Sequence, residues 1–292
     1  MKYISLRHCK KYAAFAVAVV LSAFTPITVN AAEAEDLLIQ KEEMEKQEAE
    51  ALKAQIATTY TMEKKAVSTQ HVNSLGYWCY RPTESKEEAL PLIIYLHGSD
   101  GRGSNLDRLL QIEGIPYYIN KGYIYPNAIV IAPQCPSGTN WGKLSNDVMT
   151  MIAQVIEEEN VDTSRISLTG ASLGGMGTFS IAINNPTFFS AIVPVCGSVN
   201  AANCSVLNDV AVKIFHGTND YGMGFSVKTA AQVINDNNGN CELIMLQGEG
   251  HEIRHVYIDE EYDLINWMIS QQRTDVVEET TEEVATEVGV AE

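Results

Sequence analysis

The chain has 292 residues, of which 46% are hydrophobic and 20% are charged. This length and apolar content are enough for one large globular domain, and they exclude a wholly disordered chain. The formal net charge of −17 argues against binding to nucleic acids or to anionic membrane surfaces, because like charges repel.

The N-terminal segment, residues 1–31, has the pattern of a secretory signal peptide. A basic start precedes an apolar stretch at 12–24, and Val29 and Ala31 lie three and one residues before a suitable cleavage point. The apolar stretch is too short to span a bilayer comfortably, so a retained membrane anchor is the weaker interpretation. We therefore expect the mature protein to be secreted and to make no contact with a membrane.

Two acidic segments flank the predicted domain. Residues 32–57 carry eight acids and three lysines, which predicts a helical or disordered spacer. Residues 274–292 carry seven acids and no Lys or Arg, which predicts a disordered tail. The domain itself is predicted at 58–273. Export permits disulfides, and Cys196 and Cys204 are close enough in sequence to form one.

Residues 58–273 alternate short apolar runs with longer amphipathic ones. Continuous apolar runs are typical of parallel strands covered on both faces, and here they predict strands at 91–97, 128–133, 165–169, 190–196, 212–216 and 241–246. Predicted helices lie between them at 145–156, 173–184, 224–237 and 259–272. The alternation predicts a doubly wound, mostly parallel sheet with ligands at the carboxyl ends of its strands. The segment 66–80 would add antiparallel edge strands.

The sequence Gly170-Ala171-Ser172-Leu173-Gly174 matches the pattern G-x-S-x-G. A β-like run enters this pentapeptide and a helical run leaves it. This is the setting in which a serine is held on a sharp turn above a sheet, with its hydroxyl exposed. A tight turn without chemistry is the alternative interpretation. The context favours Ser172 as a nucleophile.

A serine nucleophile requires a base and an acid that orients the base. Asp220 and His251 each follow a predicted strand, and the chain order Ser172, Asp220, His251 is that of an α/β-hydrolase. The backbone amides of Ser99 and Leu173 are the natural donors to an oxyanion. Taken singly, the same residues are also compatible with ordinary turns and a surface histidine.

These motifs resemble those of α/β-hydrolase serine esterases, in particular the exported branch of predicted-peptidase, phospholipase/carboxylesterase and feruloyl- or acetylxylan-esterase-like proteins. The resemblance rests on PLIIYLHGSDGRGSN, IVIAPQCPSGTNW, the long stretch around GASLG, IFHGTND and GEGHE, which cover nearly all of 90–252. It implies the nucleophile at Ser172, the acid at Asp220 and the base at His251. After HGTND the chain continues with YGMGFS, which departs from the family pattern and affects the expected shape of that loop.

The segment His251-Glu252-Ile253-Arg254-His255 also matches H-E-x-x-H, the zinc-binding pattern of metallopeptidases. That mechanism needs both histidines on one face of a continuous helix. Gly248 and Gly250 directly precede His251, so the helix would have no body before its first ligand. We expect no metal site and no cofactor.

The predicted function is a secreted serine hydrolase that cleaves carboxylic esters, with plant polysaccharides carrying acetyl or feruloyl groups as the expected substrates. Fewer than twenty residues separate the strand near Cys196 from the strand near Val212, too few for a cap domain, so the site should be open. Trp141 and Tyr221 are candidate substrate-binding aromatics, although Trp141 is equally compatible with packing. A serine peptidase on the same fold and a non-catalytic binding protein are the alternatives.

Overall fold

The computed structural model describes residues 41, 43–44, 60–83, 88–221 and 224–273. The predicted signal peptide, nearly all of the predicted spacer and the predicted acidic tail lie outside these residues, so the domain boundaries stay predictions. Among the described residues, no helix has the length and apolar character needed to cross a membrane.

The centre of the described chain is an eight-stranded sheet with the order β1-β2-β4-β3-β5-β6-β7-β8. Strands β3 to β8 run parallel, while β1 and β2 pair with antiparallel neighbours at one edge. The expected mostly parallel sheet with antiparallel edge strands is therefore confirmed. The strands are β1 Tyr60–Val67, β2 Leu75–Pro82, β3 Leu90–Leu96, β4 Ile129–Pro133, β5 Val161–Ala171, β6 Ala191–Val195, β7 Ala211–Gly217 and β8 Asn240–Leu246.

Helices cover both faces of this sheet, as in a doubly wound fold. The α-helices between residues 60 and 273 are α1 Ile115–Asn120, α2 Ser145–Glu158, α3 Leu173–Asn184, α4 Gly224–Asp236 and α5 Leu264–Ser270. Buried residues of α2, α3 and α4 belong to one hydrophobic cluster, and those of α1 and α5 belong to a second. Four 3-10 helices occupy loops, at Ser99–Gly101, Leu106–Leu110, Ala201–Leu207 and Arg254–Tyr257.

Strand β3 shows why the apolar runs are continuous. Leu92, Ile94 and Leu96 belong to the first cluster, whereas Ile93 and Tyr95 belong to the second. Successive side chains point to opposite faces of a strand, so a sheet buried on both faces needs apolar residues at every position. The sheet is therefore buried on both faces at this strand.

Several details differ from the sequence-based expectation, and one is strand β1, which begins six residues before the expected edge segment 66–80. Helix α1 was not predicted, because its six residues are too few to show a helical period. Strand β5 begins four residues earlier than expected and pairs with β3 across a register shift. The last helix is shorter than predicted, because Asp263 immediately before it has a φ of 41°, in the left-handed region.

The chain between β6 and β7 is short, as expected for a domain without a cap. Residues 196–210 contain the 3-10 helix Ala201–Leu207 and no further element. Cys196 and Cys204 are both free in this segment. They belong to different hydrophobic clusters, so the two thiols are buried on separate sides of the sheet and the disulfide considered for them is not formed.

Candidate active site

Ser172 occupies a strained turn between β5 and α3. Its φ of 57° and ψ of −115° lie in a region that residues with a side chain rarely adopt. The turn is held by a 2.9 Å hydrogen bond from the Ser172 amide to the Val195 carbonyl oxygen. A Cβ at Gly170 or Gly174 would overlap the Leu96 carbonyl oxygen, so both glycines of the motif are needed for close packing.

Three predicted site residues meet at the carboxyl edge of the sheet. Ser172 Oγ lies 2.8 Å from His251 Nε2, and His251 Nδ1 lies 2.7 Å from Asp220 Oδ2. Asp220 lies in the acid loop, residues 218–221 after β7, and His251 lies in the base loop, residues 247–253 after β8. The Asp220 side chain is 10% exposed and that of His251 is 33% exposed. The serine is thus hydrogen-bonded to an imidazole that a carboxylate orients from the other side.

The acid loop and the base loop are joined directly to each other. The Asn219 amide donates a 2.8 Å hydrogen bond to the Glu249 carbonyl oxygen, and the Asn219 side chain donates one of the same length to the Gly248 carbonyl oxygen. The Gly248 amide donates to Thr218 Oγ1 at 2.8 Å. Asn219 and Thr218 were not predicted to act at the site. They join the loop of Asp220 to the loop of His251.

The two predicted oxyanion donors lie at helix starts. Ser99 is the first residue of the 3-10 helix that follows β3, and Leu173 is the first residue of α3. Amides at the start of a helix have no intrahelical partner, so both are available to a ligand. Leu173 also directly follows Ser172, which puts its amide beside the hydroxyl. The structure is therefore compatible with the predicted pair of donors.

His97 holds the loop that carries Ser99. Its Nδ1 donates to the Gly98 carbonyl oxygen at 2.6 Å, and its Nε2 accepts from the Cys135 amide at 2.9 Å. Burial lowers the pKa of His97 to about 4, because a charged imidazole is poorly solvated there. The ring is 1% exposed and neutral at pH 7. His97 is therefore a structural residue of this loop.

Trp141 is a correction to the sequence-based interpretation. Its side chain is fully buried, its Nε1 donates to the His97 carbonyl oxygen at 2.9 Å, and its ring contacts the His97 ring edge-on. A ring packed in this way has no face left for a sugar or an aromatic acid. Tyr221, the other candidate, is 84% exposed beside Asp220 and donates to the Asn219 side chain at 3.3 Å.

Two buried residues next to the acid had no predicted chemical role. His216 is fully buried, with Nε2 3.5 Å from Asp220 Oδ2. Cys196, Asp220 and His251 form a group whose potential metal-ligand atoms all lie within 4.8 Å of one another. Burial raises the pKa of Cys196 to about 12, so its sulfur is a neutral thiol and a poor metal ligand.

The H-E-x-x-H segment does not form the helix that a metallopeptidase needs. His251 to Ile253 belong to the base loop, and only a short 3-10 helix follows at Arg254–Tyr257. Both ring nitrogens of His251 already face Ser172 and Asp220. This geometry supports the expectation that His251 and His255 are not paired zinc ligands.

The other acids near this part of the chain are poorly placed to orient His251. Asp209 precedes β7 and is exposed at its amino end. Asp236 ends α4, and Glu249 is exposed in the base loop. Among these, only Asp220 contacts the imidazole.

Comparisons with known proteins support the fold. A model of the prolyl oligopeptidase family matches residues 138–209. A solved structure described as a thermostable esterase superposes with a TM-score of 0.62 at 21% identity, over 73% of this chain and 63% of that chain. The chain has the α/β-hydrolase fold. The expected fold class is confirmed.

Two fungal relatives of this chain are named as esterases. "Probable feruloyl esterase C" of Aspergillus niger is 29% identical over 152 residues, which are 49% of this chain and 55% of that protein. "Probable acetylxylan esterase A" of Neosartorya fischeri is 37% identical over 82 residues, 24% of this chain and 22% of that protein. The chain thus spans about half or less of the curated relatives that it matches. The comparisons confirm the resemblance to α/β-hydrolase serine esterases.

Proposed function

We propose that this α/β-hydrolase is a serine carboxylic-ester hydrolase. The observation that carries the proposal is the continuous hydrogen-bonded chain from Asp220 through His251 to Ser172, set on a strained strand–turn–helix junction. A serine hydroxyl is a weak nucleophile until a base accepts its proton and a third group orients that base. His251 is within hydrogen-bond distance of both other groups.

In the proposed reaction, Ser172 Oγ attacks the ester carbonyl carbon while His251 Nε2 accepts the hydroxyl proton. The tetrahedral intermediate collapses to an acyl-enzyme, and His251 returns the proton to the leaving alcohol. His251 then accepts a proton from a water molecule that attacks the acyl-enzyme. The carboxylic acid is released, and the proton returns to Ser172 Oγ. Asp220 fixes the imidazole tautomer and stabilises the imidazolium. The amides of Ser99 and Leu173 stabilise the oxyanion. The cycle requires no metal or cofactor.

We further propose that the protein is exported and acts on acetyl or feruloyl esters of plant polysaccharides. The predicted signal peptide, at residues outside the described part, supports export. The names of the two fungal relatives support this ester class. Among the described residues, the short segment 196–210 leaves no room for a cap between β6 and β7, and exposed Tyr221 offers an aromatic face beside Asp220. An open site of this kind accommodates a polymer.

A fluorophosphonate probe and a panel of esters test the proposed activity. The wild-type protein should react with the probe at Ser172 and hydrolyse aryl acetates, whereas Ser172→Ala should do neither and unfold at the wild-type urea midpoint. Ser74→Ala, a change at an exposed serine, is the matched control. Loss of the triad typically removes several powers of ten in rate. A folded Ser172→Ala protein with near-wild-type turnover would refute the assignment, and absence of labelling would favour a binding protein.

A serine peptidase is a second candidate, because the prolyl oligopeptidase family model matches the segment around Ser172. The same triad serves both reactions, and the difference lies in leaving-group protonation and pocket shape. Acetylated xylan, feruloylated arabinoxylan, short aryl esters and peptides should be assayed side by side. Activity on the two polysaccharides with none on peptides supports the esterase, and the reverse pattern supports the peptidase.

A further inference from the structure

Arg254 is a buried cation that the triad does not use. Its Nη1 lies 3.0 Å from Asp100 Oδ2 and 3.3 Å from Glu252 Oε2. The Arg254 side chain is 10% exposed, against 37% for Asp100 and 70% for Glu252. Burial alone would lower the pKa of Arg254, but the charges around it, those of Asp100 and Glu252 included, raise the pKa above its ordinary value. The guanidinium is thus charged, enclosed and paired mainly with Asp100.

This ion pair joins the 3-10 helix that begins at Ser99 to the 3-10 helix that directly follows the base loop. Asp100 directly follows Ser99, a predicted oxyanion donor, and Arg254 follows His251 by three residues. A Cβ at Gly98 would lie 2.8 Å from Arg254 Nη2 and 2.8 Å from Asp100 Oδ1. The pair therefore packs against the backbone immediately before the Ser99 amide. The loop with the donor and the loop with the base are connected through charged atoms in close contact.

We propose that Arg254 is a positioning residue that holds the Ser99 amide in place relative to His251 through its ion pair with Asp100. This inference rests on the proposed function. An oxyanion donor acts only when it lies about 2.7–3.1 Å from the developing charge. A misplacement of about 1 Å can lower the rate about 100-fold. The ion pairs of Arg254 are with Asp100 and Glu252, outside the proposed triad, so its effect is on geometry in the transition state.

The inference also gives a role to the H-E-x-x-H segment. The segment supplies the base at its first position and the loop-joining cation at its fourth. Glu252 also contacts this guanidinium, but its side chain is 70% exposed, so solvent weakens the pair. Asp100 and Glu252 therefore form a matched pair of tests, because each contacts Arg254 Nη1 and only Asp100 lies on the loop with Ser99.

The experiment compares Arg254→Met, Arg254→Lys, Asp100→Asn and Glu252→Gln with the wild-type protein. The kcat and KM for an aryl acetate and the affinity for an aryl boronic acid are measured, together with the urea midpoint. A boronic acid forms a tetrahedral adduct on a serine hydroxyl and so reports binding to the transition-state geometry. Arg254→Met and Asp100→Asn should lower kcat about 10- to 100-fold with little change in KM.

The affinity for the boronic acid should fall in these two variants by the same factor as kcat/KM. Arg254→Lys should recover part of the loss, and Glu252→Gln should stay within about twofold of wild type. If Arg254→Met does not fold, Asp100→Asn and Arg254→Lys provide the same comparison. A folded Arg254→Met or Asp100→Asn protein with wild-type kcat, or an equal loss in Glu252→Gln, would overturn the inference alone. A wild-type protein without Ser172-dependent ester hydrolysis would overturn the proposed function as well.

Discussion

His97 makes the stability of the protein depend on pH between about 4 and 6.5. Burial lowers its pKa from 6.5 to about 4 in the folded state. Between these values the unfolded chain binds a proton that the folded chain does not bind. The stabilisation is therefore complete above pH 6.5 and is lost as the pH falls toward 4. The difference of about 2.5 pK units corresponds to about 3 kcal/mol.

The hydrogen bonds of His97 explain why its protonation is unfavourable. Nδ1 donates to the Gly98 carbonyl oxygen, so Nε2 must accept from the Cys135 amide. A proton on Nε2 would point at the Cys135 N–H, so that two donors would face each other. It would also leave a positive charge in a buried site. The loop that carries Ser99 would then lose its support, so activity should fall together with stability.

Urea unfolding at several values of pH from 8 to 4 measures this effect. His97→Asn removes the titration and keeps a side-chain amide that can donate to Gly98. It should be less stable than wild type at pH 7, but its further loss between pH 7 and pH 4 should be smaller by about 3 kcal/mol. His255→Asn is the matched control for removing a histidine. Burial also lowers the pKa of His216, so part of the wild-type slope remains. Parallel slopes for wild type and His97→Asn would refute this reasoning.

Three further predictions concern the site. Asp220→Asn should fold normally and lose about 10⁴-fold in kcat, because the imidazole tautomer is no longer fixed, whereas Asp209→Asn should change kcat little. Steady-state kinetics measure both values, and a larger loss in Asp209→Asn than in Asp220→Asn would show that the acid is misassigned. Trp141→Ala should lower the free energy of unfolding by about 3–5 kcal/mol in urea titration, and a loss below about 1 kcal/mol would contradict its packing role. Ester hydrolysis should survive dialysis against EDTA, and His255→Ala should lower turnover far less than His251→Ala. Loss of activity after dialysis that added zinc restores would contradict this prediction.

The alternation of strands and helices was predictable because burial on both faces of a parallel sheet leaves a strong local signal. Continuous apolar runs marked β3 and its parallel neighbours, and glycines marked the turn at Ser172. Helix α1 lacked such a signal, because Gly114 and Pro116 at its start resemble a loop and its six residues span fewer than two turns. The start of the last helix was equally hidden, since the left-handed backbone of Asp263 has no reliable mark in the sequence.

The convergence of Ser172, Asp220 and His251 was predictable from chain order, because each follows a strand and the carboxyl ends of parallel strands share one edge. The residues that fix their relative positions were not. Asn219 and Thr218 act through contacts with Gly248 and Glu249, about thirty residues away. Polar residues in a turn are common, and nothing local separates those that bridge two loops from those that face solvent.

Trp141 and Arg254 show the same limit for side chains. Each lies in a loop at the carboxyl edge of the sheet, where position alone favours contact with a ligand. The structure instead buries both: Trp141 donates to the His97 carbonyl oxygen, and Arg254 pairs with Asp100. His97 and Asp100 flank Ser99 on the loop after β3. Two distant segments thus converge on one short loop, which fits a site whose oxyanion donor must be positioned more tightly than an ordinary turn allows.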